Sequence, residues 1–226
     1  MQESRVSVRP VVAIAGAGVF GAFASMVTIA LGPALQPSFP ILSYLRFDPA
    51  EIIDMVALLL FGPIAGTLTA TVHFIILSFA PGGTGPFGAS LKYLSVLSTF
   101  VGVILVSRLG KLSFRRAGAS MTVSGLLVRV ALTTLANYLY LIFLAKFLFG
   151  QDYAFFAQLT LNRAGINLTG SEFVTFILGL TAVFNAAHAV LTMVLSLFIT
   201  GALLKRAPQW LEARAWFTNY IARKSD

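Results

Sequence analysis

The chain has 226 residues, of which 58% are hydrophobic and 11% are charged, and its formal net charge is +8. So few charged side chains cannot keep a domain of this size in solution, which excludes a soluble protein. The chain has no cysteine, so a disulfide framework and a thiolate metal site are excluded as well. We therefore predict an all-α, multi-pass protein of the cell membrane.

Six apolar segments of helical composition follow one another along the chain. The longest of them reach or exceed the roughly 20 residues that cross about 30 Å of hydrocarbon. We predict a single six-helix transmembrane domain over residues 1–226, with spans near 10–32, 50–61, 64–80, 87–108, 120–145 and 173–204.

The first predicted span is rich in small residues spaced four apart, a spacing that lets another helix approach closely in lipid. The pairs include Ala13 with Ala17 and Gly18 with Ala22. Packing within the chain explains one such pair. Because the run covers several faces of the helix, it also indicates a helical partner outside the chain.

The apolar stretch from 50 to 80 could form one kinked helix or a hairpin, and the distribution of basic residues decides between them. Basic side chains cluster before the first span, between spans four and five, and after the last span: Arg5, Arg9, Arg108, Lys111, Arg115, Arg116, Lys205, Arg206, Arg214, Arg223 and Lys224. The positive-inside rule places all three clusters in the cytoplasm only if the chain reverses at Gly62-Pro63. We therefore predict a short hairpin of spans two and three, with both termini cytoplasmic.

Three other segments have their own character. Residues 81–86, Pro-Gly-Gly-Thr-Gly-Pro, predict an external loop. Segments 33–51 and 145–172 hold fewer basic residues and are also predicted to be external, and the aromatic 145–172 segment could fold over the outer face as a lid. Residues 208–224 combine an apolar face with basic side chains, which predicts an amphipathic helix at the inner membrane surface.

Polar side chains form stripes on the last two spans. Each stripe follows helical spacing: Thr181, Asn185, His188, Thr192 and Ser196 in the last span, and Arg129, Thr133, Asn137 and Tyr140 in the fifth. With a helical rise of roughly 1.5 Å per residue, Asn137, Asn185 and His188 all lie ~25–31 Å from the basic ends of their helices, near the predicted outer surface. Because lipid cannot satisfy amide or imidazole groups, we predict that these three side chains line a site that opens outward.

The remaining polar groups have simpler interpretations. We expect His73 and the Ser/Thr side chains to be structural, and Arg129 to extend toward the cytoplasm. Lys92 could extend to the outer surface or meet an anionic ligand group. Asn167-Leu168-Thr169 fits the glycosylation sequon, although such triplets are common by chance.

The chain resembles the substrate-binding S components of energy-coupling factor vitamin transporters, most closely the riboflavin-specific branch. The resemblance covers essentially the whole chain. It is carried by Phe47-Asp48-Pro49, Phe61-Gly62-Pro63 with Gly66, Asn137-Tyr138 and Phe184-Asn185. In the riboflavin branch the motif of the last span looks like Phe-Asn-x-x-Lys. This chain has His188 at the position of that lysine.

The resemblance implies a non-enzymatic subunit that captures a vitamin near the outer face and delivers it with a membrane coupling subunit and two ATPase subunits. We expect riboflavin as the transported ligand, with no cofactor, metal or nucleic acid. The implied ligand-binding residues are Asn137, Asn185, His188, Tyr44, Leu45, Asp48, Lys92 and Tyr140, and the implied coupling surface is Ala13, Ala17, Gly18 and Ala22.

Three alternatives remain open from the sequence. The same architecture could bind another vitamin or heterocycle, such as thiamine, a pyridoxine-type compound or a queuosine precursor. An intramembrane enzyme could use His73 and His188, although the chain has no His-Glu-x-x-His or Gly-x-Ser-x-Gly motif. A channel or exporter that works alone is the third.

Overall fold

The computed structural model describes residues 10–80, 85–140, 144, 147, 153–206 and 215–221. The predictions for residues 1–9, 81–84, 208–214 and 222–224, and for most of 141–152, lie outside this part of the chain. The described helices are α1 (Pro10–Leu35), α2 (Ala50–Phe61), α3 (Pro63–Phe79), α4 (Gly85–Ser107), α5 (Phe114–Leu139), α6 (Tyr153–Arg163) and α7 (Gly170–Arg206), with a 3-10 helix at Trp216–Tyr220.

Four of these helices are long and apolar enough to cross a membrane: α1, α4, α5 and α7. The mostly helical, multi-pass architecture predicted from the sequence is therefore confirmed. Helix α3 is apolar but shorter, with 17 residues, and α2 has 12 residues. At a rise of 1.5 Å per residue α2 is only ~18 Å long. Six crossings and cytoplasmic termini stay predictions.

The predicted reversal between α2 and α3 is confirmed at Gly62. This residue has φ 93° and ψ −179°, a backbone conformation that is essentially restricted to glycine. The reversal brings Gly66 against Leu58, so closely that a Cβ on Gly66 would lie 2.8 Å from the Leu58 Cβ. In a continuous helix these two residues would be ~12 Å apart along the axis.

Helices α4 and α5 approach each other at two glycines. A Cβ on Gly102 would lie 2.5 Å from the Ser124 carbonyl oxygen and 2.6 Å from the Gly125 Cα. Such contacts are possible only where a helix surface lacks side chains, as in small-residue packing in membranes. This crossing fixes α5, which carries Arg129, against the rest of the bundle.

The main apolar core lies between α2, α4, α5 and α7. Its fully buried members include Leu58, Phe100, Met121 and Met193. A second apolar cluster joins the 36–49 loop to α6 and the start of α7, with Leu42 and Leu161 both 0% exposed. Helix α6 therefore packs against the loop, and a role as a lid stays a prediction.

The C-terminal segment does not form the predicted surface-lying helix over its described part. Phe217, in the 3-10 helix, is 0% exposed and packs against Phe114 with ring centroids 5.5 Å apart. Trp216 contacts the turn at Gly62, and the Leu112 amide donates to the Tyr220 carbonyl at 3.0 Å. The amphipathic prediction is corrected here because the apolar side chains pack against the bundle itself.

Candidate functional site

A buried ion pair joins α5 to α2. The Arg129 guanidinium donates to both Glu51 carboxylate oxygens, with Nη1 2.6 Å from Oε2 and Nη2 3.4 Å from Oε1. Arg129 is 1% exposed and Glu51 is 3% exposed. Two-point contact between a guanidinium and a carboxylate fixes the geometry of both groups and offsets part of the cost of burying their charges.

Asn185 and His188 of α7 complete the surroundings of Arg129. Arg129 Nε donates to Asn185 Oδ1 at 3.2 Å, and Nη2 lies 3.3 Å from His188 Nδ1. A guanidinium only donates, so Nδ1 must be the unprotonated acceptor. The ring proton is therefore assigned to Nε2, which faces the Asp48 carbonyl oxygen at 3.3 Å and Glu51 Oε2 at 3.6 Å. The Asp48 backbone nitrogen also lies 3.3 Å from Nε2, but it cannot donate to a protonated nitrogen. In this arrangement His188 is neutral.

Asp48 anchors the 36–49 loop to the bundle. Its Oδ1 accepts from the Ala50 amide, which starts α2, and its Oδ2 accepts from Thr28 of α1 at 2.9 Å and from the Lys92 ammonium of α4. Asp48 is 6% exposed. A single carboxylate thus holds the loop to three helices.

Aromatic rings cover the polar groups. Phe47 lies 4.9 Å from Phe184 and 5.4 Å from His188 between ring centroids, and Phe39 lies 5.6 Å from Phe184. Phe39 and Phe47 belong to the loop, and Phe184 belongs to α7. The arrangement puts flat apolar surfaces next to a set of hydrogen-bonding groups, the combination that recognises a planar ligand with one polar edge.

A second buried polar group lies beside the first. His73 Nδ1 is 2.9 Å from Asp54 Oδ2, and His73 Nε2 is 3.0 Å from the Thr28 hydroxyl. The two histidines therefore belong to different pairings, since His188 contacts Arg129 and Asp48. Among the described residues, no cluster of three or more His, Asp or Glu side chains could hold a metal ion.

The structure brings some of the predicted ligand-binding residues together. Asn185, His188, Asp48 and Lys92 lie in one connected network with Arg129 and Glu51. Leu45 packs in the loop–α6 cluster, and Tyr44 is 37% exposed.

The predicted residues near the end of α5 are separate from that network. The half-buried Asn137 donates to the Thr133 carbonyl of its own helix at 2.7 Å. It lies about two turns, or ~12 Å, beyond Arg129. Tyr140 is half-buried, and its ring centroid is 6.5 Å from that of Phe87. Asn137 and Tyr140 thus lie at the C-terminal end of α5, whereas Asn185 and His188 lie near the middle of α7.

One expectation about a charged residue is wrong. Arg129 does not extend toward the cytoplasm but points into the bundle, because Glu51, Asn185 and His188 satisfy its donors. Glu51 and Asp48, in the segment predicted to be external, are buried within the protein. Asp54 is also buried, with 0% exposure.

Sequence reasoning missed Glu51 and Asp54 as candidates, yet a signal was present. Ionisable residues in apolar helices face the protein interior and pair with one another. Helix α2 carries two carboxylates and α5 carries a lone arginine within an apolar run. That opposite charge on two spans is the pattern that indicates a buried pair.

The small-residue surface of α1 divides into two faces. Ala13 and Ala17 are 7% and 2% exposed, and the Ala17 carbonyl lies 3.5 Å from the Thr69 hydroxyl of α3. These two alanines pack within the chain. Gly18 and Ala22 are exposed, and nothing lies within 4 Å of a Cβ added to Gly18. Of the four residues of the expected coupling surface, Gly18 and Ala22 are therefore exposed and Ala13 and Ala17 are buried, and the coupling role stays a prediction.

The site is closed in this structure. The cavity beside Asp54, His73 and Lys92 has a volume of about 10 Å³, on the order of one water molecule. A larger depression of about 400 Å³ lies at the start of α7, lined by Leu168, Ser171, Glu172, Thr175 and Phe176, and is open to the surface. The polar groups around Arg129 pair with one another under the aromatic cover.

No protein-family model and no curated protein sequence matches the chain. Its fold is similar to that of a solved structure described as the S component of a bacterial ECF transporter, with a TM-score of 0.65 and 15% sequence identity. The similarity covers 89% of this chain and 100% of that one. The chain therefore has the fold of a transporter S component.

Proposed function

We propose that this protein is the substrate-binding S component of a vitamin transporter. The observation that carries the proposal is the fold similarity over the whole length of a known S component. The buried polar network beneath the 36–49 loop supplies what such a subunit needs, because it places donors and acceptors next to aromatic surfaces. The protein would bind its ligand without making or breaking a covalent bond.

Riboflavin is the ligand that we propose first. Its isoalloxazine ring is planar and apolar on both faces, and one edge carries an N–H between two carbonyl groups. Glu51 could accept from that N–H, while Arg129 and Asn185 donate to the carbonyl groups. Phe47 and Phe184 would then lie against the ring faces. Binding requires the 36–49 loop to open, since Phe47 now covers the polar groups.

Glu51 specifically favours one rival, a heterocycle with an amino group beside a ring N–H. A carboxylate accepts two parallel hydrogen bonds from such an edge, as it now does from Arg129. The ring of a queuosine precursor has such an edge, whereas the aminopyrimidine of thiamine has an unprotonated ring nitrogen beside its amino group and donates only one hydrogen bond there. His188, which is neutral and has no fixed charge, is compatible with either ligand.

Fluorescence titration of the purified protein with riboflavin tests the ligand. We expect quenching at micromolar riboflavin, and its loss in Asn185→Leu, because Leu cannot donate or accept a hydrogen bond. Val183→Leu is the matched control, since Val183 lies on the same helix and is 57% exposed. Absence of quenching together with binding of thiamine or a queuosine precursor would favour the rival.

We propose that a membrane coupling subunit, driven by two ATPase subunits, contacts α1 on its exposed face. Gly18 and Ala22 are the small residues of the predicted motif that remain accessible. Substituting both with Trp should abolish uptake by the assembled transporter and leave ligand binding unchanged. Phe198→Trp is the control because Phe198 is 73% exposed on α7. Uptake that survives the double substitution would place the coupling surface elsewhere.

A further inference from the structure

A chain of hydrogen bonds connects the core of the protein to the anchor of the 36–49 loop. Asp54 Oδ2 contacts His73 Nδ1 at 2.9 Å, His73 Nε2 contacts the Thr28 hydroxyl at 3.0 Å, and that hydroxyl contacts Asp48 Oδ2 at 2.9 Å. Asp54 is 0% exposed and His73 is 2% exposed. The chain thus begins at a carboxylate without access to solvent.

The protons in this series of hydrogen bonds can be counted, starting from Asp48. Asp48 Oδ2 already accepts from the Lys92 ammonium, so the Thr28 hydroxyl must donate to it. A hydroxyl has one proton to donate, so Thr28 can only accept from His73. His73 Nε2 therefore carries a proton.

The contact between His73 Nδ1 and Asp54 then requires a second proton. With Nε2 protonated, a neutral imidazole would present an unprotonated Nδ1 to the Asp54 carboxylate, and two acceptors would face each other at 2.9 Å. The contact is a hydrogen bond only if one more proton lies between them, on either Nδ1 or Oδ2. The Asp54–His73 pair therefore has no net charge.

We propose that the Asp54–His73 pair is a proton-binding site whose occupancy controls, through Thr28, how firmly Asp48 anchors the 36–49 loop. The adjoining cavity of about 10 Å³ holds on the order of one water molecule, so no organic ligand fits beside the pair. The inference depends on the geometry of the ligand-free protein and not on the proposed function.

The surroundings of the pair favour a form without net charge. Among the described residues, Asp54 Oδ1 is buried without a hydrogen-bond partner, and burying a charged oxygen in this way is costly. The other charged or titratable groups around His73 are Lys92 and Tyr93 of α4, which line the same cavity, and Glu51, one turn before Asp54. Asp48 lies beyond Thr28, and Thr28 itself is the contact from α1.

Loss of the proton would reverse the direction of the Thr28 hydrogen bond. A neutral His73 beside an ionised Asp54 places its proton on Nδ1, which leaves Nε2 as an acceptor. The Thr28 hydroxyl then donates to Nε2 and turns a lone pair toward Asp48 Oδ2. One of the bonds that hold the loop to the bundle becomes a repulsive contact, so the loop opens more readily.

The protonation of His73 can be measured directly, because the chain has only two histidines. We would record ¹⁵N NMR spectra of the histidine-labelled full chain in detergent, assigned with His73→Gln. We expect a protonated Nε2 on His73 that loses its proton as the pH rises. In Asp54→Asn the side-chain amide can donate to Nδ1, so Nε2 should stay protonated over the same range. An unprotonated Nε2 on His73 at every pH would contradict the proposed site. The same loss of the proton in Asp54→Asn would contradict it as well.

The link to the loop can be measured by thiol labelling, because the chain has no native cysteine. Leu42→Cys places a thiol at a position that is 0% exposed, and Ser43→Cys places one at the adjacent exposed position, where it reports the chemistry of labelling alone. We expect the labelling rate of the Leu42→Cys variant, divided by that of the Ser43→Cys variant, to rise several-fold through the His73 transition. This ratio should stay constant in Asp54→Asn and be high at every pH in Thr28→Val. If this ratio does not change with pH in the protein that carries only the thiol substitution, the proton on the Asp54–His73 pair does not control the loop.

Discussion

The two ends of the bundle are built from opposite kinds of contact. At the loop end, which we define as the 36–49 loop with Glu51, Arg129, Asn185 and His188, the buried groups are mostly ionic or polar. At the basic end, which we define as residues 108–116 with the Trp216–Tyr220 helix, the buried groups are apolar and aromatic. Both ends exclude water, but they do so at different energetic cost.

This difference separates the parts of the molecule that provide stability from those that provide specificity. Burial of aromatic rings at the basic end is favourable without any exact partner. Burial of Arg129 and Glu51 gains little over an apolar pair of the same size, and it requires an exact geometry. The loop end is therefore where we expect substitutions to alter binding as well as folding, and the basic end where we expect them to alter folding alone.

The largest effect should follow from removing one member of the buried ion pair. Arg129→Leu leaves the Glu51 carboxylate buried without its partner, and we expect the free energy of unfolding to fall by about 3–5 kcal/mol. The double substitution Arg129→Leu with Glu51→Met should restore most of that loss while ligand binding stays absent. Denaturant unfolding in detergent measures the first effect. A single variant as stable as the unmodified protein would contradict the buried pair.

A somewhat smaller loss of unfolding free energy should follow from a substitution at the basic end. Phe217→Ala removes a fully buried ring from its contact with Phe114, and we expect a loss of about 3 kcal/mol. Ligand affinity should not change, because the loop end is untouched. Phe198→Ala, at a position 73% exposed, is the control and should leave the unfolding curve in place. Equal losses in the two variants would refute the packing of the C-terminal segment.

The helix crossing that connects the two ends should respond more weakly. Gly102→Ala puts a methyl group within 3 Å of the α5 backbone, and we expect a loss of about 1–3 kcal/mol. Gly179→Ala is the matched control, since nothing lies within 4 Å of its Cβ. It should stabilise α7 by roughly 0.5–1 kcal/mol. Thermal unfolding of both variants tests whether the effects have opposite signs.

The smallest change in stability should come from the partly exposed pair of Lys92 and Asp48. The Lys92 side chain is 19% exposed, so solvent screens part of its charge. We expect Lys92→Met to cost roughly 0.5–1 kcal/mol of unfolding free energy. Amide hydrogen exchange in the 36–49 loop should nevertheless accelerate. Unchanged exchange would show that Thr28 and the Ala50 amide hold Asp48 without the lysine.

The sequence predicts the framework of the fold well, because apolar length and basic clusters are local properties. The α2 limits agree at 50–61, and the reversal at Gly62 follows from the positions of charges elsewhere in the chain. The charged side chains were harder to place. The partner of Glu51 lies 78 residues away, and a lone arginine in a span is equally compatible with snorkelling or with burial.

The candidate site was predicted only in part for the same reason. Asn185 and His188 follow from the spacing along one helix, and the structure joins them to Asp48 and Lys92. The contributions of Glu51 and Arg129 depend on how three helices are arranged, which periodicity does not encode. The C-terminal segment illustrates a further ambiguity, since an apolar face can pack against lipid or against the bundle.

The contact between Trp216 and the turn at Gly62 has a consequence for biosynthesis. The hairpin of α2 and α3 leaves the ribosome early, yet the residues that cover its turn are synthesised after all the long helices. Until residues 216–221 have been synthesised, the turn at Gly62 and the apolar residues around Leu58 are not covered by the C-terminal segment. Nascent chains that stall before this point should therefore be the ones that membrane quality control recognises and degrades.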